Sequence, residues 1–298
     1  MVISLLTLSR HIVLFFVFSC LFRQNEVTAL LVDHNNVTPQ WQDGAFPLFR
    51  ECNVSTRRGL LQYFYLPPLL YMSPSKVCAM SPSEASRQYD SYASSYDKLD
   101  GGQASSALGI DQARTDLLQN ARGHVLEIGV GTGLNLDRYD GAQISSLTLV
   151  DISSGMLQEA KTKADALPNL KGLPISFVQA DASSALLFQF GKGSFDTVVD
   201  SFSLCVMGVD GGMACLNQLA QVLKPGGQML LLENSRSSNS FLALYQDATA
   251  EMAASFGGKG CVYNQDVRAM ITRTRMMDIQ CETLYSAGLF RAFNCVRL

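Results

Sequence analysis

The run His124–Asn135 constrains this chain more than any other segment. An apolar, β-prone stretch, Val125-Leu126-Glu127-Ile128, ends in three glycines at alternate positions, Gly129, Gly131 and Gly133. This predicts a strand leaving an α/β sheet through a tight turn, where glycine lets the backbone bend sharply and lie close to a ligand. G-x-G-x-G alone is common to many nucleotide sites. The phosphate-binding spacing G-x-G-x-x-G is not met, because Leu134 stands at the last position. Glu127, ahead of the glycines, would repel a pyrophosphate and suits a cation. The next apolar run, Ile144 to Val150, ends in Asp151, an acid placed to accept both hydroxyls of a ribose. A ligand with a ribose, a positive centre and no phosphate is S-adenosylmethionine, the expected co-substrate.

Further signposts follow in order. Ser154-Gly155-Met156-Leu157 comes after Asp151, and Gln179-Ala180-Asp181-Ala182 after a third strand. Ser194–Asp200 forms a fourth strand, and Leu223-Lys224-Pro225-Gly226-Gly227 precedes a fifth. With Glu127–Gly133 and Asp151, residues 124–234 resemble the class I S-adenosylmethionine-dependent methyltransferases. The resemblance implies a Rossmann-like α/β fold. Its mostly parallel seven-stranded sheet has helices on both faces and an antiparallel C-terminal strand pair. It also implies the cofactor contacts. Gly129, Gly131 and Gly133 face the amino-acid and ribose portion, Glu127 the ammonium, and Asp151 the ribose hydroxyls. Asp181 accepts the adenine amino group, and Ala182 donates a backbone N–H to the ring. Asp200 faces the transferring methyl, with Ser201 and Ser203 beside it. Met156 either packs on the adenine or fills the core, as a lone helical methionine can do both.

Strands are predicted at 124–129, 144–150, 174–179, 195–200 and 228–233. Helices are predicted from 133 and over 154–166, 183–190, 211–223, 239–256 and 264–276. Ile279–Tyr285 and Phe290–Val296 read as the closing pair. This alternation specifies a parallel sheet covered on both faces. Two helices precede it. Ile110–Asn120 leads into the first strand, and Ser83–Leu99 is capped by Ser83 with Glu84 in its first turn. Tyr89, Tyr92 and Tyr96 share one face of the latter. Tyr89-Asp90-x-Tyr92-Ala93-x-x-Tyr96-Asp97 resembles the helix that closes over the cofactor in ubiquinone-type methyltransferases, which places Tyr96 nearest the cofactor.

The formal net charge is −3 with no Lys/Arg run, which argues against a nucleic-acid partner, because phosphate contacts need clustered cations. No C-x-x-C occurs among the eight cysteines, and the three histidines are not at zinc-ligand spacing from them, so no metal site is expected. Residues 1–29 read as a signal or anchor segment: Arg10-His11 precede an apolar run, and Val27-Thr28-Ala29 suits signal cleavage. Residues 30–82, broken by six prolines, read as a poorly ordered linker. The domain is expected over 83–298.

Val199–Cys205, Leu231–Asn234 and Gly260–Asp266 bring a finer resemblance. They are similar to a subgroup containing a membrane-anchored mitochondrial methyltransferase of fungi and the methyltransferase-like-7 proteins of animal endoplasmic reticulum and lipid droplets. Members commonly carry His after the acid of the fifth strand, where this chain has Asn234. No imidazole base stands there, and Asp200, Ser203 and Asn234 are the candidate catalytic residues. The expected activity is methyl transfer to a small lipophilic acceptor (a quinone precursor, phenol or thiol) at a membrane reached through the amino terminus. The alternative is a non-catalytic cofactor-binding assembly factor. The resemblance favours a mitochondrial location, while Val27-Thr28-Ala29 favours the secretory pathway and a plastid is a third possibility.

Overall fold

A computed structural model describes residues 80–97, 108–256 and 260–298. The expected targeting segment 1–29 and nearly all of the expected linker 30–82 lie outside the described residues.

The sheet has seven strands: β1 (Gly123–Ile128), β2 (Ile144–Asp151), β3 (Ile175–Gln179), β4 (Phe195–Ser201), β5 (Leu223–Asn234), β6 (Met277–Tyr285) and β7 (Phe290–Arg297). Their order is β3-β2-β1-β4-β5-β7-β6. The first five run parallel, and β7 pairs antiparallel with both β5 and β6. Strand order reverses between β1 and β4, so the carboxyl ends of β1, β2 and β4 open a crevice where α/β sheets bind ligands.

Alternate strand residues feed two cores, as the period of two requires. Leu126, Ile128, Val198, Met229, Leu231 and Phe293 pack on one face under α4 (Leu186–Phe190), α5 (Leu204–Val222) and α7 (Val267–Arg273). Val125, Leu147, Leu149, Val199, Leu230 and Leu232 pack on the other under α2 (Ile110–Leu118) and α3 (Ser154–Ala166). α1 (Pro82–Tyr92) precedes the sheet and α6 (Ser240–Phe256) follows β5. Among the described residues no helix is long and apolar enough to cross a membrane.

Three elements differ from the sequence expectation. α1 is capped by Ser81, whose hydroxyl accepts from the Glu84 N–H at 3.3 Å, and not by Ser83. Pro82 explains this: proline fits the first helical turn, where its missing N–H is not needed. No α-helix follows Gly133. A single 3₁₀ turn at Leu136–Arg138 forms instead, because Asn135 and Tyr139 turn inward to hydrogen-bond Glu127. The helix expected at 211–223 begins at Leu204 and is broken at Gly208, whose φ of 68° is not helical.

Gly133 has φ +81°, and a Cβ there would lie 2.5 Å from Leu136 Cδ1 and 3.4 Å from the Ala160 Cα of α3. Gly133→Ala is therefore expected to destabilise the fold by about 1–3 kcal/mol, through overpacking and backbone strain. A lowered unfolding midpoint measures this, and an unchanged midpoint contradicts it.

Candidate cofactor and acceptor site

A cleft at the carboxyl ends of the parallel strands is lined by Gly129, Gly131, Asp151, Met156, Asp181 and Ala182, together with Tyr89 and Tyr96 of the amino-terminal segment. Seven of the residues singled out from the sequence as cofactor contacts thus meet in one place. Glu127, Gly133 and Asp200 do not line it.

Asp151 holds the cleft together. Its Oδ2 accepts from the Gly131 N–H at 2.8 Å and its Oδ1 from the Ser153 N–H at 2.9 Å. Each carboxylate oxygen keeps a further lone pair for a ligand hydroxyl. Burial pushes its pKa up to about 6, against those backbone hydrogen bonds. Gly131 sits at φ +56°, and a Cβ built on it would meet nothing within 4 Å. The turn is thus open on the ligand side, and the two carboxylate acceptors suit the hydroxyls of a ribose. Asp181 accepts from the N–H and the hydroxyl of Ser183 at 2.8 and 2.7 Å. Met156 is buried and lines the cleft from the first turn of α3.

α1 and its continuation close one side. Asp90 Oδ1 accepts from Ser153 Oγ at 2.6 Å and from the Gly155 N–H at 2.8 Å. Ser86 donates to the Ile152 carbonyl at 3.1 Å. Asp97 accepts from Thr132 and pairs with Lys163 at 2.8 Å. The Tyr92 and Tyr96 rings stack at 6.0 Å, and Tyr89 meets Tyr92 at 5.2 Å. Sequence reasoning placed Tyr96 here and missed Tyr89 as a lining residue. It also assigned no role to Asp90, although the Tyr-Asp pattern carried it.

Three acids lie buried behind the cleft at the ends of β1, β4 and β5. Glu127 receives Asn135 Nδ2 and the Tyr139 hydroxyl, each at 2.8 Å. Asn135 is held in turn by Arg114 at 2.9 Å. Burial raises the Glu127 pKa to about 7. Asp200 accepts from the hydroxyl of Ser203, and burial raises its pKa to about 6. Glu233 accepts from the Leu204 N–H at 2.8 Å. Its pKa stands well above the usual range, through burial and the neighbouring Asp200 charge. Asn234 points elsewhere, with Nδ2 at 3.4 Å from Cys261 Sγ and 3.7 Å from Cys205 Sγ. Its contacts are thus to sulfur and not to the cleft lining.

Between Asp200 and Ser203 the chain turns through Phe202, at φ +63°. Such a conformation is uncommon for a bulky residue. It is held by an edge contact to Phe290 at 5.6 Å and by Arg114 over the ring at 5.5 Å. Ser203 is thereby presented to the cleft. Gly129 leaves room for it: a Cβ there would lie 2.5 Å from the Ser203 Cβ.

The raised acids make stability depend on pH. The folded chain binds protons at Glu127, Asp151 and Asp200 more tightly than the unfolded chain does. Their contribution to stability is therefore present below the unfolded carboxylate range and lost as pH rises through about 6 to 7. The ligand-free chain is expected to melt at a higher temperature at about pH 6 than at about pH 8. Affinity for S-adenosylhomocysteine is expected to move the opposite way, since a protonated Asp151 is a poorer acceptor. Thermal unfolding and calorimetry at the two pH values check the pair of trends, and a midpoint that rises with pH contradicts the first.

The described geometry agrees with what the chain is similar to. A family profile for a methyltransferase domain matches residues 125–227. The mitochondrial methyltransferase OMS1 of Saccharomyces cerevisiae is 30% identical over 170 residues, covering 53% of this chain and 35% of that protein. The ubiquinone/menaquinone biosynthesis C-methyltransferase UbiE of Azotobacter vinelandii is 31% identical over 165 residues, covering 54% of this chain and 62% of that one. A phosphatidylethanolamine N-methyltransferase of Cereibacter sphaeroides is 33% identical over 147 residues, covering 48% and 67%. The chain thus spans about a third of the first relative and under two thirds of the second. Among solved structures, magnesium protoporphyrin IX methyltransferase from Synechocystis PCC 6803 superposes with a TM-score of 0.55 at 18% identity, over 73% of this chain and 99% of that one. That likeness speaks to the fold. Sequence kinship, sheet order and the glycine turn with its acids together place the chain among the class I S-adenosylmethionine-dependent methyltransferases, with S-adenosylmethionine as co-substrate.

Proposed function

We propose that this chain transfers a methyl group from S-adenosylmethionine to a small lipophilic acceptor, a quinone precursor, phenol or thiol, at a membrane. One observation carries the proposal: the part of the cleft built by α1 and the start of α5 is apolar. Met80, Pro82 and Ala85 line it from one side, and Val206, Met207 and Gly211 from the other. Gly129, Gly131, Asp151 and Asp181 supply the polar part. The polar part suits a nucleoside and the apolar part a hydrophobic acceptor. Such a site works mainly by positioning and by excluding water, because the methyl group arrives already activated. Two relatives support this reading by name, one for ubiquinone and menaquinone and one for phosphatidylethanolamine, all lipid-soluble molecules. The mitochondrial relative supports a mitochondrial location, with the apolar amino terminus holding the domain at the membrane.

In the cofactor half, Gly131 and Asp151 take the ribose, Asp181 and Ala182 the adenine, and Tyr96 covers the ligand. Glu127 acts on the ammonium at one remove, through the turn that Asn135 and Tyr139 fix. Methyl-labelled S-adenosylmethionine, incubated with the full-length protein and a membrane lipid extract, tests the acceptor class. Label in a lipid-soluble product is expected, and label in protein only contradicts it.

The ribose assignment has its own test. Asp151→Ala should weaken S-adenosylhomocysteine binding by about 2–4 kcal/mol, since two charge-assisted hydrogen bonds of roughly 1.5–3 kcal/mol each are lost and water replaces part of them. Asp151→Asn should fall between. Calorimetry reads the difference, and parental affinity in Asp151→Ala sinks the assignment.

A further inference from the structure

Asp200 and Glu233 end adjacent parallel strands, and both are fully buried. One oxygen of each has a partner: Asp200 Oδ1 accepts from Ser203, and Glu233 Oε1 from the Leu204 N–H. The other oxygens, Asp200 Oδ2 and Glu233 Oε2, are buried without a donor among the described residues. Two ionised carboxylates side by side in a dry interior are untenable, since each charge opposes the other and neither is solvated. One proton resolves both orphans at once, with Glu233 protonated and donating to Asp200. The titratable groups facing the pair are Glu127 from β1 and Cys205 and Cys215 from α5. None of them brings a positive charge.

The pair reaches the cleft through one residue, Ser203, which lines it. Ser203 is held toward Asp200 by the positive-φ turn at Phe202 and by the space Gly129 leaves. We infer that Asp200 and Glu233 share one proton, and that Ser203 passes the proton released by the methyl acceptor to this pair. The inference rests on the methyl-transfer reading above. Ser203 is the catalytic residue in it, and Asp200 and Glu233 are positioning residues acting through Ser203. As the bond between acceptor and methyl carbon forms and the carbon–sulfur bond breaks, the acceptor's proton moves to Ser203 Oγ. The proton of Ser203 moves to Asp200 Oδ1. The pair then carries two protons, and the second is returned to water after product leaves. The positive charge of the sulfonium and the negative charge of the pair vanish together, so the dry cleft is never left with an unbalanced charge. This accounts for a site with no histidine at position 234.

Two measurements on the full-length protein test the inference. The first needs no turnover. At neutral pH the infrared difference between wild type and Glu233→Gln, without cofactor, should contain the C=O stretch of a protonated carboxyl that shifts in D2O. Its absence overturns the shared proton. The second uses S-adenosylmethionine with thiophenol, largely ionised at neutral pH, and p-cresol, which keeps its proton. Ser203→Ala and Asp200→Asn should each lower p-cresol methylation about 100-fold more than thiophenol methylation, the usual worth of a proton acceptor. Glu233→Gln keeps a donor to Asp200 and an acceptor for the Leu204 N–H. It should move the acid limb of the p-cresol pH–rate profile upward, because an amide is a weaker donor than a carboxylic acid. Equal losses with the two acceptors, or an unmoved acid limb, overturn the relay. A wild type that methylates neither acceptor overturns the acceptor reading and the relay with it, while the infrared band reports separately on the shared proton.

Discussion

Four parts of the chain converge on the carboxylate of Asp151. It ends β2, takes the Gly131 N–H from the turn after β1, and takes the Ser153 N–H at the start of α3. The Ser153 hydroxyl both caps α3, accepting from the Met156 N–H at 3.0 Å, and donates to Asp90 of α1. One side chain thus sets the distance between the glycine turn, the helix after β2 and the helix that covers the cleft. Charge-assisted hydrogen bonds to backbone N–H groups are among the stronger ones, and they carry direction as well as energy. The geometry that holds the acid in the cleft is the same geometry that joins these elements.

That arrangement is costly without a ligand. Glu127, Asp151, Asp200 and Glu233 all lie at the carboxyl edge of the sheet, and burial disfavours the charge on each. Arg114 is the cation that acts on Glu127, through Asn135 and at longer range. A ligand bearing a sulfonium and an ammonium suits such a place, because it brings positive charge to a low-dielectric pocket with acids behind it. Binding then relieves in part what folding imposed.

The sheet was legible because its strands are apolar runs ending in acids and glycines, and the sequence carries those marks at β1, β2 and β4. Strand order is written in no single run and comes from the structure. What could not be read was side-chain partnership across the fold. Glu127 looks like a ligand acid in one dimension; in three, Asn135 and Tyr139 take both its oxygens, and they lie on a segment that reads as the start of a helix. Glu233 was visible as the last acid of β5, yet its neighbour Asp200 lies far away in sequence and meets it only through strand pairing. Asn234 was notable for what it replaces, and the structure gives it a different task, holding two sulfurs. Ser83 lost the cap of α1 to Ser81 because Pro82 decides where the first turn begins.

α1 is attached beside the cleft by packing and by hydrogen bonds. Ala85 is the one buried residue of α1, and Ala93 is the buried residue just beyond it. Small alanines contribute little burial, and the half-buried rings of Tyr89 and Tyr92 add to the packing of this element. Among its ties are the hydrogen bonds of Ser86, Asp90 and Asp97 to groups on or beside α3 and the glycine turn. Those to the Asp90 and Asp97 carboxylates are charge-assisted, a class worth about 1.5–3 kcal/mol each, less where water screens them. β1, β4 and β5, by contrast, are fixed by side chains with no exposure on both faces. Asp90 is bound to the same Ser153 whose backbone N–H holds Asp151. A single serine thus joins the acid of the cleft to the helix beside it.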